Sequence, residues 1–173
     1  KYAWAVEYIN ELAEQGIFKG RDEKTFDPEA KITRAEFVAL VARVLGIKSD
    51  AEIAFADLDG HWAAAEVTAV ATLGEDTLAF FGEAFAPDQA ITREEMATVL
   101  YKALVAKGVA VPEAEAAVFS DASSIAEFAA EAVEALQKLE VINGMGDGTF
   151  APKGETTRAQ AAKVIYLFAG LVK

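Results

Sequence analysis

The chain has 173 residues, 53% of them hydrophobic, which is enough to bury a sizeable core. No run approaches the ~18 apolar residues of a membrane span, so membrane insertion is not expected. A net charge of −12 argues against nucleic acid, whose phosphates require a basic face, and fits simple solubility. With no cysteine and one histidine, His61, the sequence offers no disulfide framework, thiolate metal site or imidazole triad, and no cofactor is expected.

In chain order, the apolar spacing predicts a first helix from Trp4 to about Glu14. Ala5, Tyr8, Ile9 and Leu12 share a face, and Gly16 suits a C-terminal cap. A polar turn from Gly20 leads to Phe26 and Pro28, and Thr33 then opens a second helix carrying the stripe Phe37, Leu40, Val41 and Val44. Thr33 with Glu36 forms a capping box, as Thr92 does with Glu95. After a linker over residues 46–54, a helix from Trp62 to Leu73 precedes Gly74, another predicted cap. Phe85, Pro87 and the stripe Met96, Val99, Leu100 and Ala103 follow. A second linker over 108–118, stiffened by Pro112, leads to a helix from about Ile125 to Leu139. Next come the loop Gly144 to Phe150, Pro152, and a last helix with Val164, Ile165 and Phe168.

These elements are one unit written three times, a period to be recognised before any fold is assigned. Adding 124 to a position in the first copy reaches its counterpart in the third: Leu12 meets Leu136, Gly20 meets Gly144, Arg34 meets Arg158. The second copy is offset by 58 at its start and by 59 from Phe26 onward, so it carries one extra residue between Gly74 and Phe85. The copies occupy 1–47, 53–107 and 118–173, together expected to form one domain. The first lacks the Phe55-Ala56-Asp57 lead of the second and the Phe119-Ser120-Asp121 lead of the third, so the chain looks like a piece trimmed inside a repeat.

The ordered motifs carry a resemblance. Phe-x-Asp with His61-Trp62, then Gly16-Ile17-Phe18-Lys19-Gly20, Gly146-Asp147-Gly148-Thr149-Phe150 and Ile32-Thr33-Arg34-Ala35-Glu36 resemble the S-layer homology repeat, which normally occurs in threes. The resemblance covers almost the whole chain. It implies an all-α fold of three helix-loop-helix pseudo-repeats packed as a pseudo-trimer around a central three-helix bundle. It further implies a non-catalytic, extracellular anchor at the bacterial cell surface. Such an anchor binds secondary cell wall polysaccharide, often pyruvylated, in grooves between repeats. Surface-layer copies of the protein are a further possible partner.

A pyruvate ketal is a carboxylate on a sugar, and arginine's planar fork can meet two carboxylate oxygens at once. Arg34, Arg93 and Arg158 therefore stand as candidate ligand residues, with the free N–H groups of the helix termini beside them. Asp57, Asp121, Gly20, Gly144 and Gly146 come from the same motifs, and Trp4 and Trp62 offer indole faces to a sugar. Each has a plainer reading: arginines paired to Glu36, Glu95 or Asp57, tryptophans as core anchors, His61 as a local cap. Two stretches, Asp57 to Gly60 and Gly146 to Gly148, faintly resemble calcium loops but lack the ligand series and terminal glutamate. In the second copy Leu78 stands where the others have Gly20 and Gly144, and Phe80-Phe81-Gly82-Glu83-Ala84-Phe85 replaces the Gly-Asp-Gly-Thr-Phe loop, so the groove using that loop is expected to be the weakest and at most two are expected to bind. A protein assembly module with structural arginines is the alternative function. A glycan-processing enzyme needs a defined carboxylate pair, which 28 acidic residues supply only by chance.

Overall fold

The computed structural model describes residues 1–22 and 24–173. Among them lie six α-helices: α1 Val6–Glu14, α2 Arg34–Leu45, α3 Ala64–Ala71, α4 Arg93–Ala106, α5 Glu127–Lys138 and α6 Arg158–Val172. The first helix of each copy is shorter than its apolar pattern suggests. Ala3–Ala5 is a separate 3-10 turn that places Trp4 ahead of α1. Gly16 takes the left-handed conformation predicted for it, at φ +70°. Gly74 does not, because Thr72 ends α3 by donating its hydroxyl back to the Thr68 and Ala69 carbonyls.

The second helices start as their threonines dictate. Thr33, Thr92 and Thr157 are extended, and each hydroxyl accepts the N–H of the residue three further on. In α4 and α6 the box is reciprocal, Glu95 and Gln160 each returning a side-chain oxygen to the threonine N–H. The predicted stripes all face inward. Phe37, Leu40, Met96, Leu100, Ile165 and Phe168 are fully buried, and α2, α4 and α6 touch one another along the centre.

The outer helices are handed on by one copy. α3 packs on α2, α5 on α4, and α1 on α6, so each central helix is covered by the first helix of the following copy and the ring closes on itself. Main-chain atoms close the same ring. The Ile32 N–H donates to the Thr156 carbonyl (3.0 Å), Thr156 N–H to Ile91 (3.2 Å), and Ile91 N–H to Ile32 (3.0 Å). All three residues are completely buried.

The loops follow this rotation. In α2 the Arg34 and Ala35 N–H groups donate to the Gln89 and Pro87 carbonyls of the second copy's loop. In α4, Arg93 and Glu94 donate to Gly154 and Pro152, and in α6, Arg158 and Ala159 donate to Ala30 and Pro28. These are the helix donors that have no partner inside the helix itself. Their capture corrects one expectation: the helix termini offer no free N–H groups to a ligand. To present these carbonyls, Asp27, Ala86 and Ala151, each between a phenylalanine and a proline, turn to φ 58°, 51° and 56°. This left-handed conformation costs a residue with a Cβ about 1 kcal/mol or more.

Candidate functional site

The two aspartates hold those strained corners in place. Asp57 accepts the N–H groups of Phe85 (3.1 Å) and Ala86 (2.8 Å), and Asp121 those of Phe150 and Ala151 (both 2.9 Å). These bonds stabilise the anion and draw the Asp121 pKa below the ordinary carboxylate value. Both carboxylates are therefore engaged with backbone, and neither lines a groove. Phe55 covers Phe85 and Phe119 covers Phe150, with ring centres 5.3 and 5.4 Å apart. Both loop phenylalanines are fully buried, as their place in the repeat predicts. Phe26, with no such ring over it among the described residues, is only partly buried and packs edge-on against Phe18.

The three arginines reach across copies rather than within them. Arg34 grips Glu95 with Nε (3.1 Å) and Nη2 (2.6 Å) and the Phe85 carbonyl with Nη1. Arg158 gives Nη1 to Glu36 (3.0 Å), Nε to the Phe26 carbonyl and Nη2 to the Lys19 carbonyl. Arg93 gives Nε to the Phe150 carbonyl (2.8 Å) and Nη2 to the Asn143 carbonyl (2.7 Å). The ion-pair reading thus holds for two of the three, with the partner glutamate in the next copy. Each guanidinium also lies over a loop phenylalanine, about 4.6–4.9 Å from the ring centre. Burial pulls the Arg93 and Arg158 pKa values below the usual arginine range, though a guanidinium keeps its charge.

Two grooves form where all three copies meet. The larger, about 520 Å³, has Arg158 beside Glu36 and Leu40 of α2, with Gly16, Phe18 and Gly20 along one wall and Trp62 at the rim. The smaller, about 240 Å³, repeats the plan one step round the ring. Arg93 lies beside Gln160 and Val164 of α6, residues 141–144 form the wall, and Trp4 forms the rim. Trp4 is 46% exposed and Trp62 57%, which overturns the core-anchor reading of both. Gly20 and Gly144 sit on the walls because a Cβ at either would strike backbone oxygen, 2.7 Å from Thr25 and 2.8 Å from Thr149. Gly146 lies outside both grooves and makes the φ +88° turn of its loop.

The third corner is built differently. Phe81 covers the Arg34 guanidinium at 4.9 Å, and Phe80 stacks on Phe128, which holds the position of the two tryptophans, at 5.1 Å. Aromatic side chains occupy the space that is open at the other two corners. An apolar hollow of about 380 Å³ lies between the second linker, at residues 114–118, and the third copy, and neither arginine nor indole lines it. His61 caps and pairs locally, its Nδ1 accepting from Ala63 N–H and its Nε2 lying 3.0 Å from Asp88. Among the described residues no group of three or more His, Asp or Glu could hold a metal ion. Among the same residues no helix is long and apolar enough to cross a membrane.

The repeat points to the arginines, glycines and tryptophans, with Glu36 and Glu95 as candidate partners, but not to which arginine meets which glutamate. Lys163, Asn143 and the cross-copy roles of Glu36, Glu95 and Gln160 emerge only from the fold. Offsets of 59 and 124 identify equivalent residues without saying which copies touch.

Comparison with known proteins completes the picture. The sequence model of the S-layer homology domain matches residues 1–38, 54–97 and 118–162. An endoglucanase from Bacillus sp. (strain KSM-635) is 39% identical over 95% of this chain and 18% of its own length. The S-layer protein sap of Bacillus anthracis is 33% identical over 94% of this chain and 20% of its own. The cellulosome-anchoring protein of Acetivibrio thermocellus is 35% identical over 86% and 34%. The chain thus spans from about a fifth to about a third of the length of these relatives, which lie mostly outside the match. Three matched segments in tandem and S-layer relatives place a chain of this kind at the bacterial cell surface. With its three copies, its three cross-copy arginines and its all-helical ring, the chain belongs to the S-layer homology family.

Proposed function

We propose that this domain is a non-catalytic anchor that holds its parent protein to the bacterial cell wall by binding a secondary wall polysaccharide, pyruvylated and anionic, in two of its inter-repeat grooves. One observation carries the reading. Twice, at equivalent corners of the ring, an exposed indole stands over a groove with a buried arginine and a glycine wall. Exposed tryptophan is unusual unless something stacks on it, and a sugar ring offers a flat C–H face to one side and hydroxyls to the other. Two weak sites on one body act together, because the second binding event becomes intramolecular and avidity rises without new contacts. The varied names of the relatives, from an endoglucanase to a cellulosome-anchoring protein, suit a shared retention module joined to different proteins.

A second reading has its own support. Arg34 and Arg158 are already paired with Glu95 and Glu36, as structural arginines would be, and the domain would then join proteins of the surface layer to one another. Co-sedimentation with purified walls, native and stripped of secondary polysaccharide, separates the two. The arginines are poor probes, since truncating them removes the grip between copies. The exposed tryptophans are better. The domain is expected to pellet with native walls only, and Trp4→Ala with Trp62→Ala is expected to remain in solution with unchanged circular dichroism. Equal pelleting with both walls, or pelleting indifferent to the tryptophans, overturns the glycan reading in favour of assembly.

A further inference from the structure

The three arginines are equivalent by position but not by state, and the difference lies in the third residue of the neighbouring central helix. Arg34 faces Glu95 and gives it two N–H bonds. Arg158 faces Glu36 and gives it one. Arg93 faces Gln160. Among the described residues no carboxylate oxygen lies within 4 Å of the Arg93 guanidinium, and its Nη1 has no hydrogen-bond partner, although the residue is only 8% exposed. Gln160 turns its oxygen to the Thr157 N–H (3.0 Å), so its amide N–H₂ also donates to no protein atom among those residues. Lys163 lines the same groove, and no acidic residue does. Arg93, Gln160 and Lys163 thus border about 240 Å³, and among the described residues Arg93 Nη1, the Gln160 amide N–H₂ and the Lys163 side chain have no hydrogen-bond acceptor.

We infer that the two open grooves are unequal, and that position 160 makes the Arg93 groove the preferred seat for a carboxylate. This rests on the glycan-anchor reading and deepens it. In the Arg158 groove the protein's own Glu36 competes with an incoming carboxylate for Nη1, and displacing it would leave a part-buried anion without its partner. At Arg93 the neighbouring acid is Asp121, which is outside ion-pair distance and accepts the Phe150 and Ala151 N–H groups instead, so a buried guanidinium with a spare N–H gains from an anion what its burial has taken away. At the third corner Glu95 and Phe81 together hold Arg34 out of use. One residue type at one repeat position therefore grades the corners: closed, shared, open. Gln160 is a specificity-determining position, acting through the arginine opposite it.

The two indoles, one at the rim of each groove, make the grading measurable. In ¹H–¹⁵N spectra the Trp4 and Trp62 indole N–H signals, assigned with Trp4→Phe and Trp62→Phe, report each groove separately. The probe is a methyl hexoside carrying a pyruvate ketal, with its methyl ester as the uncharged control. The acid is expected to move Trp4 at lower concentration than Trp62, and the ester to show little preference. Gln160→Glu keeps the Thr-x-x-Glu cap used by the other copies, so folding is preserved. It is expected to weaken the acid at the Trp4 groove roughly tenfold, the scale of one charge-assisted hydrogen bond, while sparing the ester and the Trp62 groove. Glu36→Gln is expected to tighten the Trp62 groove for the acid. If Gln160→Glu leaves the acid unchanged at Trp4, or if Trp62 responds first, the inequality is wrong although the grooves bind. If neither indole moves with either probe and the domain ignores native walls, the anchor reading itself falls and this inference with it.

Discussion

At the scale of single residues, Thr156 is the clearest anomaly. Its counterparts are Ile32 and Ile91, and the three meet where the main-chain ring closes. Thr156 is fully buried, and its hydroxyl is the one buried side-chain polar atom without a hydrogen-bond partner among the described residues. A buried, unanswered hydroxyl costs about 1–3 kcal/mol, and valine has nearly the same shape. Thr156→Val is therefore expected to raise unfolding stability by about 1 kcal/mol, read as a higher midpoint in urea at unchanged slope. A fall would mean that the hydroxyl has a partner, such as an ordered water, worth more than its removal gains.

Single residues also mark where sequence reasoning stopped. The Thr-x-x-Glu boxes are legible because capping is local, and so is the gap at Gln160, which still caps. What Gln160 withholds from Arg93 is invisible in sequence, because the pair forms between copies and the repeat register alone does not say which copy stands opposite. Trp4 and Trp62 fail for a related reason. Large aromatics are usually core, and only the grooves they border, with the 3-10 turn at Ala3–Ala5 in the case of Trp4, show why these stay outside.

At the scale of elements, the lead segment of each later copy acts through one carboxylate. Asp121 ties the segment ahead of α5 to the Phe150 corner, and Asp57 ties the segment ahead of α3 to the Phe85 corner. Because the Asp121 pKa is lowered in the folded chain, its contribution is present above the ordinary aspartate value near 4 and is lost as pH falls through the lower folded value. The unfolding midpoints of the protein and of Asp121→Asn are expected to differ clearly at neutral pH and to converge in acid, once the pH has fallen through the lowered folded-state value. A gap that persists in acid would assign the effect to shape rather than charge. The helices themselves were legible from periodicity to within a few residues. The expectation that failed was the free helix terminus, since the donors of α2, α4 and α6 are satisfied by loops too distant in sequence to be foreseen.

At the scale of the whole molecule, no copy is self-sufficient. Each central helix borrows its cover, its cap and its arginine's anchor from the next copy, and α1 on α6 supplies the last join. The end of α6 stands to the start of α1 as α2 stands to α3, which residues 46–63 connect. A permuted chain, cut within residues 110–117 and rejoined from Lys173 to Lys1 by a flexible linker of about twelve residues, is accordingly expected to fold with the same helicity and a single unfolding transition. Two transitions, or loss of helicity, would show that the order of copies along the chain matters in a way the contacts do not.

The ring of three hydrogen bonds at Ile32, Ile91 and Thr156 uses only peptide groups, and so do the loop carbonyls that cap the central helices. A frame written in main-chain atoms is indifferent to side-chain identity. Once a unit of this kind has been triplicated, its corners are free to diverge one at a time. One has been filled with phenylalanine, another keeps its glutamate, and the third has exchanged glutamate for glutamine, while the backbone that holds them stays the same. Divergence of this sort lets one corner change its lining while the other two, and the ring that joins them, stay as they are.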